Sequence, residues 1–397
     1  MKLREYQQKA LITLKKHNKG TLVIPTGGGK TVIFMEDVKQ RILNSTHPLK
    51  IVVVAPKILL ASQLSNEFQR HLKDVSKVFY FHAHSGENGT TNVEMIRTIS
   101  NITTRIQHHQ IIFTTYKSLS KINESNVNID IAIFDEAHHS VFEANFVGVA
   151  ETSRIAKNCY FYTATPRHTS DRKTMANSDV YGGTIISLSP KELVEGGFIL
   201  APKVVSYESS ENEDENILNF IDDIEVNPKI LVAVPTTQRM MDMFTETELL
   251  NELYERGFQV FHITSKYGCV INQNKVSRQV FFDTLEQMGN DDDVKLILFH
   301  HSIISEGISI NGMTHALILR NLSVVDYVQT MGRILRLHKD DHERLEKGLI
   351  QRGEYEKYKK PFGIIAFPSN DKRGHKIEQQ LQNIVDTLFI KGDALIA

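Results

Sequence analysis

Short, mostly apolar runs recur along the whole chain, at residues 21–24, 51–55, 78–81, 111–113, 131–134, 160–162, 229–234, 258–263, 295–299 and 363–367. Many close on a turn rich in Gly, Thr or Pro and run into apolar residues at helical spacing, as Val32, Met35, Val38 and Ile42 follow the first. Runs without polar alternation belong to strands covered on both faces, and strands alternating with helices build parallel sheets. The pattern therefore predicts an α/β fold. At 397 residues the chain exceeds one ordinary core and suits two domains. The strand series pauses between residues 190 and 205, which places lobe boundaries at 1–197 and 198–397. Residues 188–198 read as a short helix stopped by Gly196 and Gly197, and the acidic run 209–216 as a solvated surface loop.

The first apolar run leads into Pro25-Thr26-Gly27-Gly28-Gly29-Lys30-Thr31. Glycines at a strand-to-helix junction let phosphate oxygens approach main-chain N–H groups at the positive end of a helix. Lys30 then reaches the β- and γ-phosphates and the Thr31 hydroxyl ligates Mg²⁺, which makes ATP and Mg²⁺ the expected cofactors. The strict pattern asks for Gly at position 24, where this chain has Ile. A second polar stretch, Asp135-Glu136-Ala137-His138-His139, ends the run 131–134. Carboxylates at the carboxyl edge of a parallel sheet lie in the ligand crevice. There Asp135 can complete the Mg²⁺ shell and Glu136 can orient and deprotonate water.

These two stretches resemble motifs I and II of the superfamily 2 DExH-box helicases, and the resemblance extends over nearly the whole chain. It implies two tandem RecA-like domains, each a mostly parallel sheet flanked by helices, with ATP and Mg²⁺ between them. Arg4 and Gln7 stand where the family contacts adenine, with Gln7 as the amide reader or, alternatively, a helix-surface amide. Pro56 and Lys57 resemble motif Ia and Thr236 with Thr237 motif IV; both imply contacts to nucleic-acid phosphates. Thr114 and Thr115 resemble motif Ib, although their spacing fits a helix cap equally well. Thr163 and Thr165 resemble motif III, which couples the carboxylates to the second lobe. Gly307, in Ser305-Glu306-Gly307-Ile308-Ser309, resembles motif V, with Ser309 where the family commonly has Asp. Gln329, Gly332, Arg333 and Arg336 fit Gln-x-x-Gly-Arg-x-x-Arg of motif VI. On a helix, arginines three apart point one way and can stabilise a transferring γ-phosphate.

Composition narrows the partners. Lys+Arg 46 against Asp+Glu 47 gives a formal charge of −1, so nucleic acid would be met by local patches and not by bulk charge. Only Cys159 and Cys269 are present, too few for a four-cysteine metal site or a disulfide framework. No apolar run approaches the ~18 residues of a membrane helix, and Met1-Lys2-Leu3-Arg4 starts no signal peptide. The expectation is an intracellular, nucleic-acid-stimulated ATPase, with DNA favoured over RNA, acting as a helicase or translocase in replication, recombination or repair. An ATP-gated nucleic-acid-binding subunit is the third alternative, and no extra module advertises a protein partner.

Overall fold

The computed structural model describes residues 3–86, 88–168, 173–208, 210, 212–224, 227–264, 266–301, 312–369 and 372–393. They form two compact units that part between Leu188 and Ser189, except that Thr26–Gly28 group with the second. The helix Pro190–Glu195, assigned from the sequence to the first lobe, belongs to the second unit. Its start is fixed by a reciprocal cap: Ser189 N–H donates to Glu192 Oε2 at 2.7 Å, and Glu192 N–H to Ser189 Oγ at 3.1 Å.

The first unit is built on β1 (Lys19–Val23), β2 (Lys50–Ala55), β3 (Val78–Ala83), β4 (His109–Thr115), β5 (Ile131–Phe134), β6 (Asn158–Thr163) and β7 (Gly183–Ser187). They pair in the order β3-β4-β2-β5-β6-β1-β7, every pair parallel. Alternate residues of each central strand enter different cores. Val53, Phe113 and Ile133 pack with Phe34, Leu64 and Phe68 of two helices on one face. Val52, Ile112 and Phe134 pack with Leu119, Ile122 and Val149 on the other. Burial of both faces is why these strands carry uninterrupted apolar runs.

The second unit holds β8 (Ala201–Glu208), β9 (Lys229–Ala233), β10 (Phe258–Thr264), β11 (Gly268–Ile271), β12 (Asn274–Val276), β13 (Lys295–His300), β14 (His315–Ile318) and β15 (Phe362–Ser369). Their order is β12-β11-β10-β13-β9-β14-β15-β8, parallel except for the antiparallel β10-β11-β12 edge. Met240 and Met243, at helical spacing, are core residues beside Val232 and Phe299.

Sequence periodicity passes over β7, β8, β11, β12 and β14, which are short or lie at or near a sheet edge, where one face need not be apolar. The expected acidic loop is also corrected. Glu213–Asp222 is a helix with Glu213, Asp214 and Glu215 in its first turn, where carboxylates complement the helix dipole. Both lobes are thus α/β with mostly parallel sheets. Among the described residues no helix is long and apolar enough to cross a membrane.

Candidate functional site

The glycine loop leaves the sheet at the end of β1, which lies between β6 and the edge strand β7. Ile24 N–H donates to Thr163 O at 2.9 Å, which anchors the exit of β1 on β6. Gly27 and Gly29 have φ of 84° and 77°, values open to glycine and strained for other residues. Gly29 caps the helix Lys30–Asn44. A Cβ built on Gly29 would lie 2.6 Å from Gln7 Nε2, so the buried Gln7 amide rests on the loop itself. Gln7 Oε1 accepts the Arg4 N–H at 2.9 Å, fixing that amide at the start of the helix Glu5–Leu14. Arg4 Nη1 donates to the Tyr6 hydroxyl at 2.9 Å. Thr31 follows in the first turn of its helix, half-buried.

The carboxylates sit at the carboxyl end of β5. Asp135 N–H donates to Val54 O at 2.9 Å, and the Tyr116 hydroxyl donates to Asp135 O at 2.8 Å. Glu136 then turns the chain in the left-handed region, φ 47° and ψ 53°, a conformation costing a non-glycine residue about 1–2 kcal/mol. Its carboxylate meets the loop lysine: Lys30 Nζ donates to Glu136 Oε1 at 3.1 Å, with both side chains under a tenth exposed.

Charge is distributed unevenly in this cluster. Burial first, then the like charge of Glu136, pushes Asp135 up to about 7 against the opposing pull of Lys30. Burial is the strongest influence on Glu136 and acts to raise it, but the Lys30 ammonium, His138, the hydrogen bond from Lys30 and His139 together hold that carboxyl below its ordinary value. One carboxylate is paired with Lys30, and the other holds its proton to higher pH than an ordinary carboxyl. A hydroxyl and a carboxylate from Thr31 and Asp135 are hard oxygen donors, the set that suits Mg²⁺. Glu136 Oε2 is buried and has no hydrogen-bond partner among the described residues, an acceptor left for another group.

His138 connects the carboxylates to β6. Burial depresses its imidazole to about 3, so the ring is neutral. Its Nδ1 lies 3.2 Å from Thr163 Oγ1 and 3.5 Å from Glu136 Oε2. Thr163 Oγ1 in turn accepts Thr165 N–H at 3.2 Å. Of the expected coupling residues, Thr163 thus lies one hydrogen bond from His138 and Thr165 two. Sequence reading gave His138 and Tyr116 no role of their own; adjacency to the carboxylates was the signal for His138, and Tyr116, distant in sequence, gave none.

The expected nucleic-acid contacts divide. Lys57 is exposed at the N-cap of the helix Ile58–His71, with Pro56 half-buried before it. Thr236 is exposed and caps the helix Thr237–Glu246, its Oγ1 accepting Arg239 N–H at 2.9 Å. Thr114 and Thr115 need correcting. Both are buried: Thr114 Oγ1 donates to Ala83 O at 2.6 Å and Thr115 Oγ1 accepts Ser118 N–H at 3.3 Å, so these hydroxyls serve the fold.

In the second unit Gln329 and Arg333 are buried on the helix Val324–Ile334. Arg336 lies beyond the end of that helix and half-buried, so the expected shared helical face does not extend to it. Gly307 and its neighbours lie outside the described residues. Asp292, His338 and Asp340 bring ligand atoms within 4.8 Å of one another, but the Lys359 ammonium already bridges both carboxylates.

Comparison with known proteins adds to this geometry. Residues 1–168 match the family model for the type III restriction enzyme, res subunit. No curated protein sequence matches the chain. The ATP-dependent type ISP restriction-modification enzyme LlaBIII, solved bound to DNA, superposes with a TM-score of 0.73 at 18% identity. That similarity covers 98% of this chain but only 30% of the restriction enzyme. Dbp5 from S. cerevisiae, solved bound to RNA and ADP BeF3, has a TM-score of 0.62 at 16% identity over 100% of this chain and 89% of its own. A DEAD box protein from Methanococcus jannaschii has a TM-score of 0.52 at 17% identity, covering 96% of this chain and 90% of its own.

Proposed function

We propose that this chain, a superfamily 2 helicase-like protein, is a nucleic-acid-stimulated ATPase that works as a DNA helicase or translocase. The observation that carries the reading is the convergence of Lys30, Asp135 and Glu136. Two strand ends far apart in sequence bring an ammonium and a carboxylate to 3.1 Å beside a second, proton-exchanging carboxyl.

In this reading the N–H groups around Gly27, Gly28 and Gly29 take the phosphates, and Lys30 exchanges Glu136 for the β- and γ-phosphates. Thr31 and Asp135 would hold Mg²⁺, which when bound would neutralise charge on the phosphates. Glu136, relieved of Lys30, orients and deprotonates the attacking water, with Oε2 as the free acceptor. Gln7 and Arg4 select adenine. The link from His138 to Thr163 and Thr165 carries nucleotide state away from the carboxylates. Arg333 and Arg336 supply guanidinium charge to the transferring phosphoryl group, and Gln329 assists them. Pro56, Lys57, Thr236 and Thr237 take phosphates of the nucleic acid.

DNA is favoured by the res-subunit match and by the DNA-bound restriction enzyme, and duplex remodelling in replication, recombination or repair is the proposed use. An RNA helicase is the second reading, favoured by the RNA-bound neighbour, whose similarity spans this whole chain. Steady-state ATPase activity with single-stranded, duplex and forked DNA and with RNA, at one low salt concentration, tests both. Fixed salt matters because phosphate contacts weaken steeply as it rises. Stimulation by DNA alone supports the first reading and by RNA alone the second; turnover indifferent to all four refutes both.

A further inference from the structure

Lys360 is a buried cation whose partners are all main-chain carbonyls in the contacts its ammonium makes. Nζ donates to Met313 O at 2.6 Å, to Ile334 O at 2.6 Å and to Arg336 O at 3.0 Å. Ile334 is the last residue of the helix Val324–Ile334, and Met313 lies just ahead of β14. The backbone at Lys360 is itself held: the N–H groups of Lys359 and Lys360 donate to Asp341 Oδ1 and Oδ2 at 2.8 and 3.1 Å. Asp341 is fully buried on the helix Lys339–Glu346.

The chemistry of this arrangement is specific. An ammonium carries three donors, and here three acceptors converge on it. Carbonyls at a helix C-terminus lack intrahelical partners and carry the negative end of the dipole, so a cation there is stabilising. Burying the cation is nevertheless expensive, and an apolar side chain of similar volume would fill the space without that penalty. Burial, then nearby Arg336, push the Lys360 amine down to about 7 against the pull of Asp341. The ammonium ties two pieces of backbone together, the segment ahead of β14 and the helix end. The carbonyls of Ile334 and Arg336 bracket the helix end, with Arg333 immediately before it and Arg336 at its far side.

We infer that Lys360 is a positioning residue for ATP hydrolysis: by gathering the Ile334 and Arg336 carbonyls it fixes the turn between Arg333 and Arg336, and so the aim of both guanidinium groups. This rests on the ATPase reading above. It also accounts for Arg336 acting from outside the helix, since a residue past a helix end needs another restraint to hold its direction.

The experiment compares the wild-type chain with K360M, which keeps the volume and removes charge and donors, and with K360R, which keeps charge and donors. Hydrogen exchange at amides 333–337 and steady-state ATPase activity with the stimulating nucleic acid are measured on each. K360M should exchange faster in that segment and lose about ten- to hundredfold in kcat, the scale set by small misplacement of a positioning group. Its KM for ATP should stay within about twofold, and K360R should recover part of both losses. Unchanged exchange, or faster exchange with full turnover, overturns the inference. Should K360M fail to fold, K360R is read in the same two ways. If wild-type chain hydrolyses no ATP with any nucleic acid, the ATPase reading falls and the inference with it; active wild type matched by K360M sinks the inference alone.

Discussion

Replacing Lys30 by Met tests the charge balance of the site most directly. Lys30 and Glu136 are a buried pair at 3.1 Å, and Asp135 is a second buried carboxyl beside them. Removing one partner of such a pair typically destabilises by about 3–5 kcal/mol, because a charge is left buried and uncompensated. The carboxyls have an escape: they can take up protons. Without Lys30, Glu136 joins Asp135 as a carboxyl whose folded-state pKa lies above its unfolded value of about 4. A group of that kind stabilises fully below the unfolded pKa and loses its contribution as pH rises through the folded one. The deficit of K30M should therefore open with pH. Near pH ~5 it shrinks to one lost hydrogen bond, about 1 kcal/mol; near pH ~8 it reaches about 3–5 kcal/mol. For a lobe of this size that is about 2–4 °C of melting temperature at the acid end and about 6–20 °C at the alkaline end. Thermal melts of K30M and wild type across this range, following the transition of the first lobe, measure the difference. A deficit that stays constant with pH, or one below about 1 kcal/mol at the alkaline end, would show that Lys30 does not compensate these carboxyls.

Other substitutions separate the remaining roles. Gly29→Ala forces a left-handed alanine and drives a methyl to 2.6 Å from Gln7 Nε2, so the first lobe should lose about 1–2 kcal/mol in denaturant melts and bind ATP more weakly in titrations. Glu136→Gln should leave nucleotide binding nearly intact while turnover falls about 10²–10⁴-fold; normal turnover removes Glu136 from the base role. Arg336→Ala should lower turnover without abolishing nucleic-acid binding, and lost binding with unchanged turnover would reassign it to a phosphate contact. Thr114→Val removes the bond to Ala83 O and should reduce stability by about 1 kcal/mol, with nucleic-acid affinity unchanged in a filter or anisotropy assay.

The amino-acid sequence alone determined the α/β class and the central strands of both sheets, because a strand buried on two faces must be apolar at every position. It also marked the loop at Gly27–Gly29 and the carboxylates Asp135 and Glu136, since phosphate and metal chemistry constrain residue type over a few consecutive positions. Tertiary structure alone decided which atoms meet. That Gln7 lies on Gly29, that Lys30 pairs with Glu136, and that His138 reaches Thr163 depends on strands and helices separated by tens of residues. The family resemblance suggested nucleic-acid contacts for Thr114 and Thr115, whose spacing fits the cap that Thr115 forms, and spacing suggested a shared helical face for Arg333 and Arg336. Burial between strands withdrew the first, and the end of the helix at Ile334 withdrew the second. Lys360 gave no signal in sequence, because the carbonyls it gathers belong to the backbone, whose groups are the same at almost every residue until the fold brings particular ones together.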